Sequence, residues 1–228
     1  MHLLIPAAGM GRRMGSDRNK ILLSVLARPV IAWTLLAAEQ AQQIDWIGII
    51  CQPSDQADLE AIAQPLKLTK PLTFITGGDT RQASVYNGLQ ALPPEASHVL
   101  IHDGARCLAT ADLFNRCALS LQNCAGIIAA IAVKDTIKVV DDSGLIEATP
   151  DRSHLWAAQT PQGFDVALLK DCHDKGQQMG WQVTDDAALF EKCDLPVKIV
   201  PGEETNLKVT TPVDLTIAEF ILRQRIED

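Results

Sequence analysis

The sequence predicts an α/β fold: a mostly parallel sheet flanked by helices, with a β-arm projecting from it. Three observations carry this. Short apolar runs alternate with helix-period segments from Leu3 to Ala132. The apolar runs are continuous rather than alternating, as in strands covered on both faces. After Val133 the pattern changes to strict alternation and meets a turn signal.

The elements follow in order. Leu3-Leu4-Ile5 is a first buried strand ending at Pro6. Pro29 to Gln42 has helical spacing, with Pro29 where a first turn tolerates it. Trp46 to Cys51 is a second strand, and Ser54 reads as the N-cap of a helix running to Ala63. Leu72 to Thr76 is a third strand before a helix from Asp79 to Leu92. His98 to Ile101 is a fourth strand, followed by a loop and a helix from about Ala111 to Leu121; Gly126 to Ala132 is a fifth apolar run. Asp135 to Val140 alternates, turns at Asp141-Asp142-Ser143-Gly144 and returns over Leu145 to Ala148, a hairpin standing off the main sheet. Thr160-Pro161 reads as a turn into a helix from Asp165 to about Lys175. A helix from Asp185 to Lys192, a strand from Val197 to Val200 and a helix after Pro212 complete the chain. Residues 1–228 are expected to form one domain, with the arm near 134–155.

Composition narrows the function. The 228 residues carry 20 Lys plus Arg against 28 Asp plus Glu, a net charge of −8. That balance argues against a general nucleic-acid or membrane-surface binder, which needs a basic surplus. Six cysteines (Cys51, Cys107, Cys117, Cys124, Cys172, Cys193) show no C-x-x-C or zinc-type spacing and read as free thiols. With no long apolar stretch and no signal-type N-terminus, a soluble cytoplasmic protein is expected.

In sheets of this kind ligands bind beyond the carboxyl ends of the strands, so the loops there carry the functional argument. The first, Pro6 to Lys20, holds Gly9, Gly11 and Gly15, which let backbone N–H groups turn toward an anion. Arg12, Arg13, Arg18 and Lys20 gather four cations there in an acidic protein, which suits a polyphosphate. The loop lacks the G-x-x-x-x-G-K-[ST] pattern of a P-loop, and Met14 stands where a dinucleotide fingerprint needs its third glycine. The second loop is Gly77-Gly78-Asp79, where Asp79 is either an N-cap or a ligand contact, with Ser84 inside the following helix. The third is His102-Asp103-Gly104-Ala105-Arg106. Asp103 is placed either to ligate Mg²⁺, which usually takes one or two protein carboxylates, or merely to cap a turn. His98 and His102 would lie ~13 Å apart along a strand, too far to share a metal.

Six segments together resemble one family: PAAGMGRRMG with Lys20; GGDTRQASVYNGL from Gly77; HDGAR from His102; VKDTIK from Val133; LWAAQTPQGF from Leu155; and NLKVTTPVDL from Asn206. The first alone marks the wider nucleotidyltransferases. The set resembles the 2-C-methyl-D-erythritol 4-phosphate cytidylyltransferases over essentially the whole chain. The resemblance implies a Rossmann-like nucleotidyltransferase sheet and transfer of CMP from CTP to methylerythritol phosphate, in the non-mevalonate isoprenoid pathway. It implies Mg²⁺ and a homodimer whose sites are completed by the partner's arm.

By the same resemblance Arg13 and Lys20 hold the CTP triphosphate and stabilise the transition state. Ala7, Ala8, Gly9, Gly11, Gly78, Asp79, Ser84 and Gly104 match CTP-contacting positions, and Asp103 matches the metal ligand. Arg106, Thr136, Arg152, Thr160 and Lys208 match positions around the acceptor, with Thr136 and Arg152 expected from the partner's arm and Arg152 and Lys208 on the incoming phosphate. The sequence departs from the family pattern at Gly104, often alanine, and at Asn19, often proline. The closest alternative is a cytidylyltransferase for another polyol phosphate, such as ribitol 5-phosphate. A nucleotide-binding regulatory module is the alternative outside enzymes, and the set Arg13, Lys20, Asp103, Arg152 and Lys208 speaks against it.

Overall fold

A computed structural model describes residues 1–9 and 19–227. Eleven strands are formed among these residues: β1 (His2–Pro6), β2 (Ser24–Val25), β3 (Arg28–Pro29), β4 (Trp46–Cys51), β5 (Leu72–Thr76), β6 (His98–Ile101), β7 (Gly126–Ala132), β8 (Val139–Val140), β9 (Ile146–Ala148), β10 (Trp156–Asp165) and β11 (Lys198–Pro201). The helices are α1 (Val30–Gln40), α2 (Pro53–Ala63), α3 (Arg81–Gln90), α4 (Ala111–Leu121), α5 (Val166–Gln178), α6 (Asp186–Lys192) and α7 (Pro212–Glu227).

Seven strands form the main sheet in the order β11-β7-β10-β6-β1-β4-β5. β1 runs parallel to β4 and β6, β4 to β5, and β11 to β7, while β10 is antiparallel to both its neighbours. The predicted mostly parallel sheet is thus present, and its core explains it. Leu3 and Ile5 pack with Ile31, Leu35, Leu59 and Phe114 from α1, α2 and α4 on one face. Leu4 points the other way, into Val85, Leu89, Leu169 and Phe190 from α3, α5 and α6. Strands sandwiched between helix layers have no solvent face to mark with polar residues, so they read as unbroken apolar runs. A smaller cluster under α7 joins Val25, Val30, Leu108, Val209 and Leu222.

Several boundaries differ from the sequence reading. α2 starts at Pro53 after Gln52, not after a Ser54 cap, because proline is already set for a first helical position. α3 is capped by Thr80, whose side chain accepts from the Ala83 N–H, which leaves Asp79 in the loop before it. Asp165 and Asp185 cap α5 and α6 in the same manner. The hairpin of 135–148 forms over the shorter pairs β8 and β9, with Asp141 Oδ1 accepting from Ser143 and Leu145 N–H groups and Gly144 at φ +85°.

The larger correction concerns Thr160-Pro161. It is not a turn into α5; it lies inside the ten-residue strand β10, at a register shift between Ala158 and Gln162 against β7. Proline is tolerated in a central strand only at such an irregularity, because it has no N–H for the ladder. The tight β2–β3 hairpin was also not anticipated. Its turn residues Leu26 and Ala27 have φ +49° and +59°, where asparagine and glycine are the usual signals.

Candidate active site

The carboxyl ends of the parallel strands converge on a cavity of about 410 Å³. Its lining includes Ala7, Ala8 and Gly9 after β1, Lys20, Gly78, Asp79 and Ser84 around the α3 N-terminus, Asp103 and Gly104 after β6, and Lys208. Most of the predicted CTP positions are therefore gathered in one place from loops far apart in sequence. Gly11 and Arg13 lie outside the described residues.

Each loop is fixed by identifiable bonds. Asn19 is buried, and its Nδ2 donates to the Ala7 carbonyl at 2.7 Å and to Asp55 Oδ2 at 2.9 Å. The residue that departs from the family pattern thus ties the approach to Lys20 onto β1 and α2. Ser84 Oγ accepts from the Gly78 N–H at 3.0 Å and lies 3.2 Å from the Gly78 carbonyl, fastening the second loop to its own helix. A Cβ on Gly78 would stand 2.6 Å from the Ala83 Cβ, so this turn requires glycine to pass the helix that closely. The Val209 N–H donates to the Ala105 carbonyl at 2.9 Å and thereby seats Lys208 beside the third loop.

Asp103 is the electrostatic centre. Its Oδ2 lies 2.7 Å from Lys208 Nζ and 4.0 Å from Arg106 Nε, and its Oδ1 lies 3.9 Å from Arg81 Nε. Burial raises its pKa, but Lys208 first, then Arg81 and Arg106, outweigh that and hold the carboxyl below its ordinary value. The group is ionised at neutral pH. Among the described residues, no cluster of three or more His, Cys, Asp or Glu side chains is placed to hold a metal. A single ionised carboxylate fits Mg²⁺ that completes its shell with water and phosphate oxygens.

Two contributors had no assigned role in the sequence reading. Arg81 reaches back from the cavity to Asp186, with Nη1 2.8 Å from Oδ2, and Asp186 is 1% exposed. The contact is an ion pair rather than a well-aligned hydrogen bond, and His173 Nε2 stands 3.5 Å from the other oxygen. Burial opposes ionisation of Asp186, yet Arg81 and then His173 hold its pKa low; burial likewise opposes the Arg81 charge, which Asp186 and Asp103 together sustain. Arg81 was visible only as a letter in a motif, and nothing in sequence links it to position 186.

The predicted acceptor residues divide. Arg106 is near Asp103 but spends Nη1 on the Asn206 carbonyl at 2.7 Å and Nη2 on Ala158; its buried Nε has no hydrogen-bond partner among the described residues. Thr160 is buried behind the third loop, accepting from the Asp103 N–H at 3.0 Å. His102, at the end of β6, is fully buried, and burial lowers its pKa to about 4, so the ring is neutral. Thr136 and Arg152 are exposed and away from the cavity lining, with Arg152 Nη1 donating to the Lys134 carbonyl at 2.6 Å. This chain does not bring them to Asp103.

With this geometry in hand, comparison with known proteins is direct. The family model described as 2-C-methyl-D-erythritol 4-phosphate cytidylyltransferase matches residues 1–224. Curated proteins of that name from Crocosphaera subtropica and Nostoc punctiforme are 70% and 69% identical over 225 residues, spanning 99% of this chain and 99% of theirs. Among solved structures, the 4-diphosphocytidyl-2C-methyl-D-erythritol synthase of Anaerococcus prevotii superimposes with a TM-score of 0.87 at 33% identity, covering 97% of both chains. The 2-C-methyl-D-erythritol 4-phosphate cytidylyltransferase of Thermus thermophilus gives 0.79 at 32%, covering 97% of this chain and 98% of that one. A glycine-lined cavity at the sheet's carboxyl edge and a match along nearly the full length lead to one conclusion: the chain belongs to the 2-C-methyl-D-erythritol 4-phosphate cytidylyltransferase family.

Proposed function

We propose that the protein transfers CMP from CTP to 2-C-methyl-D-erythritol 4-phosphate, releasing pyrophosphate, in isoprenoid biosynthesis. The observation that carries this reading beyond family membership is the cavity itself. It sets Arg81 and Lys208 around one ionised carboxylate, with Lys20 in the same lining, beside glycines whose backbone a triphosphate can approach closely.

The attacking phosphate is largely deprotonated at neutral pH, so no general base is needed. The obstacle is repulsion between two polyanions and charge building on the α-phosphate oxygens during in-line displacement. Lys20, with Arg13, holds the triphosphate and meets that charge. Lys208, seated by the Val209 bond, carries a cation to where the incoming phosphate must sit. Asp103 would hold a divalent cation, and Mg²⁺ bound there supplies further neutralisation of the phosphates.

The arm completes the reading. β8 and β9 pair with each other in a sheet of their own. Val139, Val140 and Ile146 on them, Leu145 in the turn between them and Trp156 beyond are 43% or more exposed. Apolar surface of that kind marks a contact face. A homodimer covers it and brings Thr136 and Arg152 to the acceptor end of the neighbouring site. Among the described residues no helix is long and apolar enough to cross a membrane, and the enzyme is assigned to the cytoplasm.

The test is pyrophosphate release from CTP and Mg²⁺ with either methylerythritol 4-phosphate or ribitol 5-phosphate. Rapid release with the first alone is expected. Release with ribitol phosphate alone overturns the acceptor, and CTP binding without release from either overturns the catalytic reading.

A further inference from the structure

Arg106, Thr160 and Lys208, which match acceptor positions, come from the loop after β6, from β10 and from the segment after β11. A residue with no role in the mechanism so far joins all three. Asn206 is 0% exposed, and its Nδ2 donates to the Thr160 carbonyl at 2.8 Å and to Gln159 Oε1 at 3.1 Å. Its own carbonyl accepts from Arg106 Nη1 at 2.7 Å. Lys208 follows two residues later, between this anchor and the bond from the Val209 N–H to the Ala105 carbonyl.

The surrounding bonds make the junction specific. A side-chain amide has two protons to donate, and Asn206 gives both to β10. Gln159 returns the contact: its Nε2 donates to the Glu203 carbonyl at 2.9 Å, and its Oε1 accepts from the Glu203 N–H at 3.3 Å. Thr160 is also held from the far side, with Oγ1 3.0 Å from His102 Nδ1. Arg106 donates from Nη2 to the Ala158 carbonyl, which leaves Nε 4.0 Å from Asp103 Oδ2. Lys208 Nζ stands 2.7 Å from the same oxygen. Two cations therefore meet one carboxylate, and the segments that carry them are tied at Asn206.

Resting on the cytidylyl-transfer reading, we infer that Asn206 is a positioning residue for the acceptor end of the site. Fully buried, it reaches no substrate itself; it sets the places of Lys208, Arg106 and Thr160 relative to one another. Groups that must meet an incoming phosphate owe their effect to being held in place beforehand.

Asn206→Ala removes both donors. The KM for methylerythritol phosphate is expected to rise about tenfold, while CTP affinity, measured by calorimetry with Mg²⁺, changes by less than about threefold. In a Lys208→Met background the same substitution should raise that KM by less than about threefold, because the main cation it positions is gone. A general loosening of the fold would affect both substrates alike. Equal losses for CTP and acceptor therefore overturn the inference, as does an unchanged acceptor KM. Should Asn206→Ala not fold, Gln159→Leu, which removes one of the two acceptors, carries the same comparison with an expected rise of about threefold. The Lys208 signal in an NMR spectrum of lysine-labelled protein reads position without turnover. It should shift in whichever of these two variants folds, and an unmoved signal overturns the inference. A parent protein that turns over no methylerythritol phosphate counts against the functional reading instead, and the Lys208 signal still decides this one.

Discussion

Separating Arg81 from Asp186 gives the most discriminating stability experiment, because the two partners are unequally buried. The side chain of Asp186 is 1% exposed and that of Arg81 29%. Removing one member of a buried pair typically costs about 3–5 kcal/mol, since the other charge is left without compensation. Asp186→Leu should fall near 3 kcal/mol, because Arg81 reaches solvent and has Asp103 within 3.9 Å. Arg81→Met should fall near 5 kcal/mol, because Asp186, 1% exposed, then keeps among the described residues only His173 at 3.5 Å as an ion-pair partner. For a chain of this size those losses correspond to a Tm lower by about 6–20 °C. The double variant Arg81→Met/Asp186→Leu removes both charges and is expected to return to within about 1 kcal/mol of the parent. Urea unfolding at pH 7 measures all four proteins. Arg81→Met less costly than Asp186→Leu, or a double variant as unstable as the worse single one, would refute the reasoning. The carboxylate's contribution is fully present above its unfolded pKa, and it disappears as pH falls through the depressed folded value.

Three further outcomes are expected. Lys20→Ala should lower turnover by about 10²–10³ with an unchanged circular dichroism spectrum, as for loss of one preorganised cation; near-normal turnover removes Lys20 from the mechanism. Gly78→Ala would press its methyl within 2.6 Å of Ala83 Cβ on the capped end of α3, where neither neighbour is a flexible side-chain tip. CTP binding measured by titration should therefore weaken at least about tenfold, and unaltered binding would mean the loop does not cradle the nucleotide. Because the His102 pKa is lowered to about 4, its neutral ring contributes stability in full above about pH 6.5 and loses it as pH falls toward 4. The loss approaches about 3 kcal/mol, and His102→Asn should remove that part of the pH–stability profile.

How far the sequence could be read depended on whether a constraint was local. β1, β4 and β7 declared themselves because covered strands have no polar face, and the CTP loops because glycines and cations crowd the strand ends. Asp141-Asp142-Ser143-Gly144 predicted its turn through side-chain bonds made within five residues. β10 escaped because Pro161 carries the usual mark of a turn, and only the register shift against β7 makes it tolerable in a strand. Leu26-Ala27 escaped because no ordinary turn residue stands there. At the site, the Asp186–Arg81–Asp103 chain and the His102–Thr160 pair join residues far apart in sequence or on different strands. Such partners are set by the sheet order, and no spacing rule reaches them. Asn19 shows the converse: a residue outside the family pattern performs its task through bonds visible only in three dimensions.

The antiparallel strand has a consequence for how the chain is made. β10 lies between β6 and β7, yet it is synthesised after both. On the ribosome, β1, β4, β5 and β6 can pair once residue 101 has emerged, but the β10-facing edge of β6 remains open until residues 162–165 follow. Val99 and Ile101, buried in the finished protein, flank that open edge meanwhile. At about 5–20 residues per second the exposure lasts roughly 3–13 seconds, and an unpaired apolar edge is a template for pairing with another chain. A nascent chain stalled between residues 101 and 162 should therefore be the form most in need of a chaperone.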